Sequence, residues 1–333
     1  MINFGIIGFG LHAAKRLMPG FALAKNCRVT ALSRRDPAKA LASARQYDIP
    51  LAFDSAEKLC RSPQVDAVFI ATPNACHLQD VVAAVACGKP ILCEKPMAIN
   101  AEQCRQMIEA ARKAKVLLGI AQVFRFEEST AWFREHVAAG NIGAPVFARS
   151  EFSFRVDRSH PRNWINDPAV AGGGPVADVG VHCIDALRFI LQDEVLRASA
   201  GEIAGRAGEV EAGAALLLEF SRGTLATVMV SFRAEYRTPL ELVGESGVLR
   251  ADNALTVDRP VHLELTRNGA VVETKTVSNQ LAYARQVDAF AAAVEGKAEF
   301  PIPGEEGWRN QEILDAAYRS MRSGKTEEVR NDF

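Results

Sequence analysis

Up to roughly residue 122 the chain alternates short, continuously apolar runs with longer stretches in which apolar residues recur at helical spacing. "NFGIIG" leads into a helix through Leu17, "CRVTALS" into one through Ala44, and "VDAVFIAT" into one through Cys87. "PILCE" is followed by the helix "AEQCRQMIEAARKAK" and then the strand "VLLGIAQ". Strands written almost wholly in Val, Ile and Leu are buried on both faces by the helices between them. This stretch therefore predicts a doubly wound parallel sheet.

Beyond Arg125 the rhythm changes. A helix around "STAWFREHVAAG" precedes the strand "APVFARSEFSF", a polar loop and a helix around "VGVHCIDALRFIL". Strand-like runs follow, among them "GAALLLEFS", "GTLATVMVSFRAEY", "PLELVGESGVLRA" and "PVHLELTRNGAVVETKTV", the last with a tight "RNGA" turn of the hairpin kind. The expectation is an α/β chain in two parts. Residues 1–122 form a doubly wound, Rossmann-type domain, and residues 123–333 form an α+β domain whose sheet is mostly antiparallel. The last helices, near 280–294 and 305–322, are amphipathic and pack on one or other of these.

Composition narrows the classes. The 333 residues are 48% hydrophobic and 24% charged, enough to bury real cores. The net charge of -1 gives no field to attract a polyanion, so nucleic acid is not an expected partner. No apolar stretch approaches membrane length, and the opening "INFGIIGFG" carries no basic leader or cleavage site. A cytoplasmic location is the resulting expectation. Seven cysteines, at 27, 60, 76, 87, 93, 104 and 183, with no CxxC pair, read as reduced and buried, and no metal site is expected.

The candidate chemistry lies at strand ends. "GIIGFGLHA" places Gly8, Gly10 and Ala13 in a GxGxxA frame after a strand, with Phe9, Leu11 and His12 in the same turn. Such a turn brings backbone N–H groups and a helix N-terminus to a dinucleotide's pyrophosphate. The second strand ends in Ser33, Arg34 and Arg35, where an NAD site would usually carry an acid for the ribose 2′-hydroxyl. A hydroxyl and guanidinium groups suit a 2′-phosphate, which points to NADP ahead of NAD; the alternative is that the arginines flank a helix capped by Asp36. "ATPNACHLQD" offers Thr72, Asn74 and His77 as dinucleotide contacts. "ILCEKPMA" puts Glu94 and Lys95 behind a buried strand, which marks either a surface turn or a site. In "DVGVH" the residues Asp178 and His182 stand i and i+4 on one helix face, where a carboxylate can orient an imidazole. Gly172, Gly173 and Gly174 before them suit a flexible or close-packed entry. Trp164 in the polar loop "VDRSHPRNWINDP", Arg125 and Tyr283 are candidate substrate contacts.

The GxGxxA turn, "TPN..H", "EKP" and "AGGGPVADVGVHCIDALRFI", with the late "ELVGESGVLRA" and "YARQVDAFAAAV" runs, together resemble the glucose-fructose oxidoreductase, inositol dehydrogenase and rhizopine catabolism protein family over nearly the whole chain. The resemblance implies an NAD(P)-dependent oxidoreductase acting on a carbonyl or secondary alcohol of a sugar, polyol or related small molecule. It implies that Lys95, beside the nicotinamide, reaches the reacting oxygen, that Glu94 contributes to the coenzyme site, and that Asp178 and His182 complete the catalytic set. It also implies a cis bond before Pro96, a Rossmann dinucleotide-binding domain over residues 1–122, and over residues 123–333 a domain with an open, mostly antiparallel sheet for substrate binding and oligomerisation. Two other activities occur among such proteins: glycosidase-like chemistry through transient oxidation by tightly held NAD, and dinucleotide sensing without catalysis. The apolar "LATVMVSF" on an open sheet predicts a homodimer or homotetramer through that sheet.

Overall fold

The computed structural model describes residues 1–156 and 163–332. The chain forms two compact units: Met1–Ala121 with Tyr283–Trp308, and Gln122–Ala282 with Arg309–Phe333.

In the first unit the strands β1 (Ile2–Ile7), β2 (Cys27–Ser33), β3 (Leu51–Phe53), β4 (Ala67–Ile70), β5 (Ile91–Cys93) and β6 (Leu118–Ile120) pair in parallel in the order β3-β2-β1-β4-β5-β6. Order reverses beside β1, so ligands are expected beyond the carboxyl ends of β1 and β4. Every residue of β4 and β5 is buried, as the apolar runs require. The connecting helices are α1 (Met18–Leu23), entered through a π turn at Ala13–Leu17, α2 (Pro37–Gln46), α3 (Ala56–Cys60), α4 (His77–Ala86) and α5 (Ala101–Ala114). Local chemistry sets their starts. Asp36 accepts the N–H groups of Ala38 and Lys39, Ser55 that of Lys58, and Asn100 that of Gln103. In α5, Cys104, Met107, Ile108 and Ala111 recur at helical spacing and are buried.

The second unit begins with α6 (Glu128–Ala138) and β7 (Pro145–Ser153), followed by α7 (Pro168–Ala171) and, after a π turn at Val176–Gly180, α8 (Val181–Leu191). Strands β8 (Val195–Ile203), β9 (Gly213–Phe220), β10 (Leu225–Ser231), β11 (Leu240–Gly244), β12 (Val248–Ala251), β13 (Val261–Arg267) and β14 (Ala270–Val277) come next. After α9 (Ala282–Val294) and α10 (Gly304–Ser323) the short β15 (Glu327–Glu328) closes the sheet. Its order is β14-β13-β12-β11-β7-β10-β9-β8-β15, and only β7 with β10 is parallel. The antiparallel character read from the sequence is thus correct, and the "RNGA" turn joins β13 to β14 with Asn268 and Gly269 at positive φ. Alternate residues of β9 and β10 are buried, while Leu217, Leu225 and Thr227 face outward. One sheet face packs on α8 and its π turn; its outward face carries the exposed residues.

Candidate active site

The coenzyme side is built at the ends of β1, β2, β4 and β5. Gly8 has φ of +84°, and a Cβ there would lie 2.5 Å from the Thr72 side chain, so the chain's own packing requires glycine. Gly10 differs: its nearest neighbour would be Gly8 O at 3.9 Å. Protein packing leaves open space over Gly10 at the start of a helical run, the room a pyrophosphate needs. Ala13 is fully buried and lets the helix approach the sheet, while Phe9 is buried against Tyr47. Leu11 is half-buried. These residues fit a bound dinucleotide.

His12 links this turn to the neighbouring strand end. Its Nε2 lies 2.8 Å from Glu94 Oε1, and the Lys95 N–H donates to Glu94 Oε2 at 3.2 Å. Burial pushes the Glu94 carboxyl up, but His12 and Lys95 more than reverse this and hold it below its usual value. Lys95 itself is half-buried, and the Lys95–Pro96 peptide bond is cis, as expected.

At the end of β2, Ser33 is only 3% exposed and its carbonyl accepts the N–H groups of Gly8 and Phe9. These bonds tie the end of β2 to the glycine turn. Arg34 is half-buried and donates to Ser43 Oγ at 2.9 Å, Arg35 is exposed, and Asp36 is spent on capping α2. Beyond β4, the Thr72 hydroxyl donates to Asp80 Oδ2 at 2.6 Å, and Asn74, 7% exposed, opens a short turn. Burial pushes the Asp80 carboxyl up to about 6 against the pull of that hydrogen bond.

His77 corrects the sequence reading. Its ring is fully buried, with Nε2 2.9 Å from Thr72 O and Nδ1 3.1 and 3.2 Å from Pro96 O and Met97 O. A ring enclosed by backbone carbonyls has no face left for a dinucleotide. It ties the Thr72 loop to the turn that carries Lys95, and burial lowers its pKa.

In the second unit Asp178 lies in the π turn and His182 in the first turn of α8, on one continuous helical run. π turns recur at functional sites, and this chain has one at each of its two motif-bearing helix starts. The His182 ring is 8% exposed, 4.4 Å centroid to centroid from Phe124 and 6.1 Å from Phe152, rings that sequence reading did not single out. Arg125 is a second correction. Its guanidinium grips Asp185 through two hydrogen bonds of 2.9 and 2.7 Å, and the chain continues through Asn310 and Arg188 to Glu194. A cation this buried needs such a partner, so Arg125 serves the frame rather than a substrate. Tyr283 belongs to the first unit, its ring 6.1 Å from that of His12. Trp164 is half-buried in the turn Asn163–Asn166, while residues 157–162 of the polar loop lie outside the described residues. Among the described residues no cluster could hold a metal ion and no helix is long and apolar enough to cross a membrane.

Comparison with known proteins decides the family. A model of the oxidoreductase family with an NAD-binding Rossmann fold matches residues 2–122, and one of the Gfo/Idh/MocA C-terminal domain matches residues 130–250. A 1,5-anhydro-D-fructose reductase of Ensifer adhaerens is 30% identical over 99% of both chains. The chain belongs to the Gfo/Idh/MocA family. A D-xylose 1-dehydrogenase (NADP(+)) of Haloferax volcanii is 33% identical over 98% of this chain and 99% of its own. Among solved structures, the aldose-aldose oxidoreductase from Caulobacter crescentus complexed with glycerol superposes with a TM-score of 0.90, at 26% identity and 98% and 99% coverage. This member of the family is an NAD(P)-dependent oxidoreductase of CH–OH groups.

Proposed function

We propose that the chain interconverts a secondary alcohol and a carbonyl on a sugar- or polyol-sized molecule, with NADP as preferred coenzyme and Lys95, Asp178 and His182 as the acting side chains. The observation that carries the reading is the His12–Glu94 contact of 2.8 Å, which joins the glycine turn to the turn bearing Lys95 within one unit. Gly8, Gly10 and the backbone through His12 would hold the pyrophosphate, Arg34 and Arg35 the 2′-phosphate, and Thr72, Asn74 and Glu94 the nicotinamide half. The bound nicotinamide supplies hydride exchange at carbon. The Lys95 ammonium holds the reacting oxygen and stabilises negative charge developing on it. His182 takes the hydroxyl proton in oxidation and returns it in reduction, with Asp178 supporting the imidazole. Lys95 stands in one unit and the pair in the other, and variants at each position test their service in one reaction.

NADP preference is favoured by the end of β2, where Ser33, Arg34 and Arg35 stand and the Asp36 carboxylate caps α2. The substrates of the relatives supply the assay: D-xylose with NADP+ or NAD+, and 1,5-anhydro-D-fructose with NADPH or NADH. Turnover with net change in coenzyme absorbance, more efficient for the phosphorylated coenzyme, is expected. Product without net coenzyme change would shift the reading to glycosidase-like chemistry, and coenzyme binding without turnover across a wider sugar and polyol panel to a sensor. Self-association through the outward face of the second unit's sheet belongs to the same proposal.

A further inference from the structure

The helical run that carries Asp178 and His182 begins without a capping side chain of its own, since Pro175 precedes the π turn and has neither a side-chain acceptor nor an N–H. A carboxylate from elsewhere in the chain takes that place. Gly174 N–H donates to Glu211 Oε2 at 2.9 Å, and Val176 N–H to Glu211 Oε1 at 3.1 Å. The Tyr318 hydroxyl, from α10, donates to the same Oε1 at 3.0 Å. The glycine run is what admits these groups. A Cβ on Gly173 would lie 1.9 Å from the Tyr318 oxygen, and one on Gly174 2.3 Å from the Glu211 carbonyl oxygen.

Glu211 is 8% exposed, so its placement is set by these bonds rather than by water. Burial pushes its carboxyl up, partly offset by the three donors. Burial and the nearby Glu211 push the Tyr318 hydroxyl well up, so it stays a donor. A negative group at a helix N-terminus is also favoured by the helix dipole. The bonded N–H of Val176 is two residues before Asp178 and six before His182, so a shift of the cap moves the whole start of the run.

We propose that Glu211 is a positioning residue: by holding the Gly174 and Val176 N–H groups, with Tyr318 as its anchor, it fixes the π turn and therefore the placement of Asp178 and His182 during proton transfer. The inference rests on the reading of those two residues as the proton-handling pair. Glu211→Gln keeps the volume but replaces one acceptor oxygen by an amide donor facing an N–H or the Tyr318 hydroxyl. Tyr318→Phe removes only the anchor.

Both variants, with His182→Ala beside them, are assayed with D-xylose and NADP+ and with 1,5-anhydro-D-fructose and NADPH. The His182 ring is titrated by NMR in coenzyme-free protein carrying 13C-labelled histidine. Glu211→Gln should lower kcat about 10- to 100-fold, the scale of a misplacement on the order of 1 Å, with coenzyme affinity unchanged. The pH limb of kcat and the His182 titration midpoint should move together, and Tyr318→Phe should shift both in the same direction by less. A Glu211→Gln protein that loses only thermal stability, with kcat, its pH limb and the His182 titration as in the parent, overturns the proposal. If that variant does not fold, Tyr318→Phe decides on the same readouts. Turnover retained in His182→Ala removes the proton-handling reading, and this inference with it. Turnover lost there but unaffected in Glu211→Gln removes the inference alone. If neither sugar reacts, an unmoved His182 titration overturns it and a shifted one supports it.

Discussion

Arg34, proposed to hold the 2′-phosphate, is half-buried and braced by Ser43, with Asp36 withdrawn into the α2 cap. A guanidinium held in place loses little freedom on binding a phosphate. Arg34→Ala is expected to weaken NADP by about 1.5 to 3 kcal/mol, one charged hydrogen bond, with NAD nearly unchanged. Fluorescence titration with each coenzyme measures this, and equal losses for both would remove the NADP reading. At the reacting oxygen the expectations are of another kind. His182→Ala should reduce turnover by roughly 10² to 10⁴, the range of general acid-base catalysis, with coenzyme affinity intact. Lys95→Ala should be at least as damaging, because it removes the positive charge proposed to stabilise the reacting oxygen. Turnover near the parent level in both would place the chemistry on other residues.

Element starts show how a buried titratable group is tolerated when it carries no chemistry. Glu127, immediately before α6, is 1% exposed; Ser129 Oγ donates to its Oε2 at 3.3 Å, and among the described residues its Oε1 has no hydrogen-bond partner. Burial pushes this carboxyl well above its usual range, Ser129 and Asn279 pulling back only partly. The unfolded chain releases the proton near about pH 4.3, so above that the folded state holds a proton the unfolded one has lost. Its contribution to stability is complete below about pH 4.3 and declines as pH rises through the folded value. Glu127→Gln should therefore melt higher than the parent at about pH 8 and nearly with it at about pH 4.3. A melting difference that is constant across pH would show that Glu127 does not titrate in this way. Nothing in the local pattern announces such a group, and the same division holds for the site. The alternating strands and helices were legible because burial on both sheet faces leaves continuous Val, Ile and Leu, and the glycine turn because its GxGxxA spacing lies within one short stretch between a strand and a helix. The roles of His77, Arg125 and Glu211 were not legible. Their partners lie 5 to 20, 60 and 35 to 107 residues away along the chain, and only the folded backbone brings them together. The three glycines read as a flexible or close-packed entry, and only the folded chain shows the close approach of Tyr318 to Gly173 and of Glu211 to Gly174.

The proposed self-association would use the outward face of the nine-stranded sheet. Strand register places Val243 beside Phe147 and Phe147 beside Leu225, a row across three adjacent strands, with Glu241, Arg149, Thr227 and Leu217 in the next row. Phe147, Leu217 and Leu225 are 54%, 40% and 39% exposed, large apolar side chains gathered on one surface rather than scattered. Arg149 and Glu241 lie opposite each other within this face, so the patch carries both signs and can meet a second copy of itself about a two-fold axis. A stable pair buries about 800 Å² from each partner, an area that a face of this many strands can supply. We therefore expect a dimer, or a dimer of dimers, by light scattering at micromolar concentration. Phe147→Asp would place a carboxylate at the middle of the apolar row, where pairing would have to desolvate it. That variant should scatter as a monomer while keeping its coenzyme affinity, since the first unit is unchanged. Melting temperature should rise with concentration in the parent and not in the variant, because association stabilises only the folded chain. A parent protein that is monomeric, or a Phe147→Asp protein with unaltered mass and the same concentration dependence, would show that this face is not where the copies meet.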